Sequence, residues 1–514
     1  MSDLARIGDK SHPKGAQAPL IEAFGIRGLH GYRTISLATS HAATILIAKN
    51  GTGKTTLLGV LNAFLQGQFS RLRGLEFESI FCQFRGMPDQ LVLSSTDLDE
   101  ALSSSDSGEI ANMALRLDIP AISLFKFVTE EWSSLDRGSA SIHENLVYSA
   151  FAKIYGHNYA RISKAVSELQ RTAYEKNDNL ARISNAIRTL LGGYEILYLP
   201  TYRRVELALQ EEPKNTPYRR KRPKFNVAEG SLFTGDIQFG LADIAERLSE
   251  MNERIAYDSN SEYRKISAAI INELIDGSFE NSDTLNGKIP SKDDLQLLFS
   301  RVEQSRRLGP YYPASIPDLE KLYSDDGIPA SSQKFLTYFL GQLDKVIETT
   351  RDVETRVQDF VSRCNSYLCL DDESTRHPQD SGLAQEEGKR LILNRNNLQV
   401  QVISVPDGRK ISLDALSSGE KQMISLFAKL YLYEGPKIVL IDEPELSLSI
   451  DWQRKILVDV INSPLCEQLV AITHSPFVFD NELEPYAGSI KLTTKPKETA
   501  SFGVDLFDDE QFDD

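Results

Sequence analysis

The stretch "AKNGTGKTT", Ala48 to Thr56, sets Lys54 behind Gly51 and Gly53. Two glycines so spaced let the backbone curl until successive amides face one point, which suits a phosphate. Lys54 can then reach β- and γ-phosphates, and the Thr55 hydroxyl suits Mg²⁺. Asn50, Gly51, Gly53, Lys54, Thr55 and Thr56 are the candidate phosphate ligands. Far along the chain, "KIVLIDEPE" ends an apolar run in Asp442 and Glu443. A carboxylate there can hold Mg²⁺ opposite Thr55, and Glu443 can polarise an attacking water. "AITHSP" ends another apolar run at His474, a candidate sensor of the γ-phosphate. Finally, "ALSSGEKQ", 415–422, is too small and polar for a core yet runs straight into "MISLFA". That reads as a helix N-terminus with free amides, so Ser417 and Gly419 are candidate anion contacts.

Elements must carry these residues to one place. "ATILIA" reads as a strand running into the glycine loop, and 57–65 as a helix with a broad apolar face. The motif G-x-x-x-x-G-K-[ST] has glycine where this chain has Ala48, which a negative φ tolerates. "LQVQVISV" alternates like a strand, while "KIVLIDEPE" and "EQLVAITHSP" read as buried parallel strands, with helices at 420–433 and 451–462 between them. Between the two motif-bearing regions lie long helical segments, 160–192 and 335–365, broken by polar loops. The expectation is one α/β domain in two halves, 1–94 and 396–495. A mainly helical insertion, 95–395, separates them and is expected to carry partner or oligomer contacts. Residues 496–514 form an acidic tail.

At 514 residues, two or three structural units are expected. A net charge of −16 argues against non-specific coating of nucleic acid, although "PKNTPYRRKRPKF", 213–225, is locally basic with Tyr218 and Phe225 interleaved. Arg203 and Arg204 of "PTYRR", just after a predicted strand, are further candidates for nucleotide or subunit contact. The four cysteines have no zinc-site spacing. The polar start and the lack of any apolar run near the ~20 residues of a membrane span predict a cytoplasmic protein without membrane contact.

Taken together, these motifs resemble the ATP-binding-cassette superfamily, in its RecF- and SMC-like AAA branch. The family signature L-S-G-G-Q is matched by Leu416-Ser417-Ser418-Gly419-Glu420. The resemblance implies an α/β head with a mixed sheet and flanking helices, an ATPase activity, and ATP with Mg²⁺ as ligands. It also implies that Ser417 and Gly419 serve the ATP of a second copy, giving at least a head-to-tail homodimer. "ELSLS", Glu445 to Ser449, occupies the place of the D-loop that communicates between the two sites. Gln83 is a candidate for the family's Mg²⁺-sensing glutamine, and Arg27, Tyr32 and Arg33 for contacts to adenine.

Within the superfamily, "ILYLPTYRRVE" and the closely spaced signature and Asp-Glu segments resemble the ATPase subunit of Septu-type anti-phage defence, including retron-associated forms. That implies an HNH-type nuclease subunit as partner, and in retrons a reverse transcriptase with its DNA–RNA product (msDNA). The ATPase of PARIS-type defence, with a TOPRIM nuclease partner, and a RecF/SMC-like DNA-repair ATPase are the alternative resemblances.

Overall fold

The computed structural model describes residues 13–49, 51–105, 108–132, 145–175, 177–200, 241–276, 289–306, 319–323, 330–369, 388–412 and 415–494. Asn50, Arg203, Arg204, the basic segment 213–225 and the acidic tail lie outside the described residues.

The chain begins with strands β1 (Ile21–Leu29), β2 (Arg33–Ala38) and β3 (Ala43–Ile47), then helix α1 (Lys54–Leu65). Strands β4 (Ser79–Phe84) and β5 (Leu91–Ser94) follow. A first helical group comes next: α2 (Ser95–Ser105), α3 (Glu109–Leu117), α4 (Ala121–Lys126), α5 (Leu146–Tyr155), α6 (Tyr159–Glu175) and α7 (Asp178–Leu191). After strand β6 (Glu195–Leu199) comes a second group, α8 (Leu241–Ile275), α9 (Lys292–Arg306) and α10 (Ala330–Leu368). The remainder is β7 (Lys389–Asn394), β8 (Gln399–Ser404), β9 (Lys410–Ile411), α11 (Ser418–Leu432), β10 (Lys437–Asp442), α12 (Ile450–Ile461), β11 (Cys466–Thr473), β12 (Ala487–Ser489) and β13 (Lys491–Thr494).

The central sheet has the order β12-β3-β11-β10-β6, and every neighbouring pair is parallel. An antiparallel sheet, β13-β2-β1-β4-β5, lies beside it, and β7-β8-β9 form a third. This is the expected α/β head interrupted by helical segments. The middle of the chain is not one block, however. The sequence reading makes 95–395 a mainly helical insertion with a strand just before Arg203, and that strand, β6, forms one edge of the central sheet between the two helical groups. It pairs with β10 from Lys437↔Glu195 to Ile441↔Leu199. The buried ammonium of Lys437 meets the Glu195 carboxylate at the start of both strands and fixes that edge.

Alternation along β10 assigns its faces. Ile438 and Leu440 join a core made with α1, the antiparallel sheet and the first helical group, while Val439 and Ile441 join one made with α8, α10, α11 and α12. Buried on both faces, the strand reads as an unbroken apolar run after Lys437. Helices α8 and α10, 35 and 39 residues long, reach roughly 50–60 Å at 1.5 Å per residue. The early residues of α8 (Leu248, Met251) and the late ones of α10 (Phe360, Tyr367) sit in the head core. Tyr263 and Ile266 of α8 and Leu340 and Leu343 of α10 form a separate core with α9, so the helices run in opposite directions. The outer halves of α8 and α10 are held together by α9 in that separate core.

Candidate functional site

Parallel pairing puts three strand ends side by side, Ile47 opposite Thr473 and Asp442 opposite Ile472. Crevices at the carboxyl ends of parallel strands are where such sheets place ligands. Every chemistry-bearing motif of the sequence except the signature leaves from this edge.

The loop from β3 to α1 has the conformation its glycines suggest, with φ of 78° at Gly51 and 89° at Gly53. A side chain at Gly53 would be strained there, because that region disfavours any Cβ. Ala48 is not among the left-handed residues, so its methyl costs nothing. No side chain caps α1 and no acidic residue lies in its first turn. Its leading amides are therefore left for an anion. Arg33 donates to the Gly51 carbonyl at 3.1 Å and lies over the Tyr32 ring, 4.7 Å from its centre. Of the three candidate adenine contacts, Arg33 reaches the glycine loop and Tyr32 packs against Arg33, while Arg27 packs over Phe81 at 4.5 Å within the antiparallel sheet.

Lys54 is buried, and its ammonium stands within hydrogen-bond reach of His474 Nε2, 3.4 Å from Glu443 Oε1 and 3.5 Å from the Ala48 carbonyl. His474 Nε2 is also 3.3 Å from Glu443 Oε1. Three candidates separated by about four hundred residues thus form one cluster. Asp442 is buried at the end of β10, and Glu443 follows it in left-handed backbone with φ of 55°. That bend turns the chain off the strand, held by the Glu443 amide donating to Ile472 O at 2.8 Å. Thr55 and Thr56 occupy the first turn of α1 and are half-buried.

The signature segment is built differently. Ser417 caps α11, accepting from the Glu420 amide at 3.3 Å, and Glu420 accepts from the Ser417 amide at 2.6 Å, a complete capping box. Lys389 of β7 bonds both Glu420 oxygens, at 2.8 and 3.0 Å. Glutamate at this place would repel an approaching anion, and Lys389 offsets its charge. Gly419 is there for closeness: a Cβ would lie 2.2 Å from the Ser447 carbonyl oxygen. Sequence reasoning did not find Lys389, because nothing in a residue 31 positions upstream of Glu420 signals the pairing.

In the sequence Glu445 stands out only as the start of the "ELSLS" loop after the Asp-Glu pair. Its carboxylate accepts from the His474 amide at 2.7 Å and from the Thr473 hydroxyl at 2.8 Å. Burial pushes its pKa up and the nearby Glu443 charge adds to this, against the pull of the Thr473 bond. On the other flank, Ser475 donates to Gln453 at 2.7 Å, and Gln453 donates back to the Leu448 carbonyl at 3.0 Å. Gln83, by contrast, spends its amide on its own turn, donating to Met87 O at 2.6 Å and Phe84 O at 3.3 Å.

Among the described residues no three His, Cys, Asp or Glu side chains gather as a metal cage, and no helix is long and apolar enough to cross a membrane. Residues 20–479 match the AAA ATPase domain family. A search of curated proteins returned no match. Among solved structures, the chain is similar to an Smc head bound to the C-terminal winged-helix domain of ScpA, with 11% identity and a TM-score of 0.30. That alignment covers 94% of this chain and 99% of the other. It is also similar to the Pyrococcus furiosus Smc head with an extended coiled coil, bound to the C-terminal domain of ScpA. Here identity is 11% and the TM-score 0.33, over 93% of this chain and 96% of the other.

Proposed function

The chain belongs to the AAA ATPase domain family, and from that premise we propose that two copies share each ATP between them. One copy supplies Lys54, Thr55, Asp442, Glu443 and His474, and the other supplies Ser417 and Gly419. The observation that carries this reading is the convergence of Lys54, Glu443 and His474 at one sheet edge. Among the described residues no hydrogen bond or ion pair joins Ser417 to any of the three.

In this reading the triphosphate lies along the glycine loop and the open N-terminus of α1. Its charge draws Lys54 away from His474 and Glu443. Glu443 is then free to take a proton from the attacking water, a contribution typically worth ~10²–10⁴ in rate, while His474 stands against the terminal phosphate. Thr55 and Asp442 would hold Mg²⁺. A hydroxyl and one carboxylate suit an ion that prefers oxygen ligands and keeps substrate phosphates in its shell, and such an ion, when bound, would supply charge neutralisation at the phosphoryl group.

The proposal extends to setting. The motif resemblance to Septu-type ATPases and the net charge of −16 support a regulatory ATPase of an anti-phage complex that holds a separately encoded nuclease. The shared site is tested by mixing. Lys54→Ala and Ser417→Arg chains are each expected to be inactive alone, and together to recover part of the ATPase activity from one intact composite site per dimer. No recovery from two folded proteins would refute the sharing.

A further inference from the structure

We propose that Glu445 is the positioning residue of this site, acting through His474. The inference rests on the site reading above. His474 follows the last residue of β11, where the ladder with β3 and β10 has ended, so the sheet no longer fixes it. Its amide would face the crevice without a partner. Glu445, reaching across from the loop after β10, supplies that partner and grips the preceding residue as well. One carboxylate oxygen takes the His474 amide at 2.7 Å and the other takes the Thr473 hydroxyl at 2.8 Å.

Two bonds from one planar group to consecutive residues fix the direction in which the chain leaves β11. They thereby fix where the imidazole stands. The second flank is closed by Ser475, whose hydroxyl donates to Gln453 of α12 and whose amide donates to Thr473 Oγ1 at 3.0 Å. The His474 turn is bracketed on both sides, and its Nε2 is left facing Lys54 and Glu443. Keeping a carboxylate here is costly, since burial and the Glu443 charge both disfavour its ionised form. A neutral loop residue would avoid that cost. The acceptor pair is what the carboxylate provides.

The test is a double-variant cycle on the full chain, after Lys54→Ala has been shown to abolish ATP hydrolysis. If Lys54→Ala remains active, the site reading itself fails and Glu445 is not in question. With the site located, Glu445→Ala is expected to lower kcat about 10²-fold, the scale of a group misplaced by roughly an ångström, with KM near wild type. His474→Ala should lose a similar factor, and the double variant no more than either alone, because both remove one function. Glu445→Gln should retain most of kcat, as its carbonyl still accepts from His474 and its amide can donate to a rotated Thr473 hydroxyl. If Glu445→Ala does not fold, Thr473→Val removes one of the two Glu445 bonds, together with the acceptor of the Ser475 amide, without changing side-chain shape. Its kcat should fall in the wild-type background and not in His474→Ala. Losses that multiply in the double variant, a Gln variant no better than Ala, or unchanged kcat in Thr473→Val would each overturn the proposal.

Discussion

Glu130 lies outside every motif, yet its protonation bears on stability. It sits on a π-helical turn, Phe127–Glu131, against Phe69, Phe125 and Tyr174, and accepts from the Ser70 amide and hydroxyl at 2.7 and 2.8 Å. Burial pushes its pKa up to about 7, although the Ser70 bonds and Lys126 pull the other way. A carboxyl whose pKa rises on folding favours the fold in its neutral form. Its contribution is complete below about 4.5, the unfolded value, and is lost as pH climbs through 7. Glu130→Gln keeps an acceptor for the Ser70 amide and removes the charge. It should melt higher than wild type at pH 8 by the equivalent of about 3 kcal/mol and about equally at pH 4.5. Parallel melting curves across that range would refute the assignment. At this scale the sequence was legible where residues end apolar runs: Lys54, Asp442, Glu443 and His474 all follow one. Glu445 and Lys389 were not, because their partners are a backbone amide and a carboxylate about thirty residues away. Glu130 was not, because its burial is made by three separate helices and a turn.

Elements were easier to read than their grouping. The strands β8, β10 and β11 and the helices α11 and α12 fall where alternation and apolar runs put them, since β10 and β11 are enclosed on both faces and tolerate little else. Strand β6 is legible as a strand but not as part of the sheet: "EILYL" is short and sits between helical segments, so only its pairing with β10 places it there. Helix α11 comes very close to the loop after β10 at Gly419. Gly419→Ala would put a methyl 2.2 Å from the Ser447 carbonyl oxygen, and backbone oxygen cannot swing aside as a side chain does. The loop must shift, carrying Glu445 with it. The expected result is a folded protein that still binds ATP and hydrolyses it about 10²-fold more slowly, the effect of ångström-scale displacement. Wild-type turnover in Gly419→Ala would show that this contact is not tight in solution.

The whole molecule joins two helical groups to opposite faces of one nucleotide-binding sheet. If it regulates a separate nuclease, the purified chain should hydrolyse ATP and leave DNA and RNA intact, with cleavage appearing only when the partner is added. Robust cutting by the chain alone, lost on mutating it, would refute that division of labour. The same architecture bears on how the protein is made. The Lys54–Glu443 contact closes a gap of 389 residues. A ribosome adding roughly 5–20 residues per second needs some 20–80 s to cross such a gap. Throughout that interval β3 has emerged without β11 or β12, its two neighbours in the sheet. Ile45 and Leu46, fully enclosed in the finished protein, must be shielded meanwhile by the nascent chain or by chaperones. Premature termination anywhere in the middle therefore leaves a fragment that carries the glycine-loop segment and lacks Asp442 and Glu443. Such fragments should be cleared by proteolysis, and an arrested nascent chain should acquire protease resistance late, once β11 has left the exit tunnel.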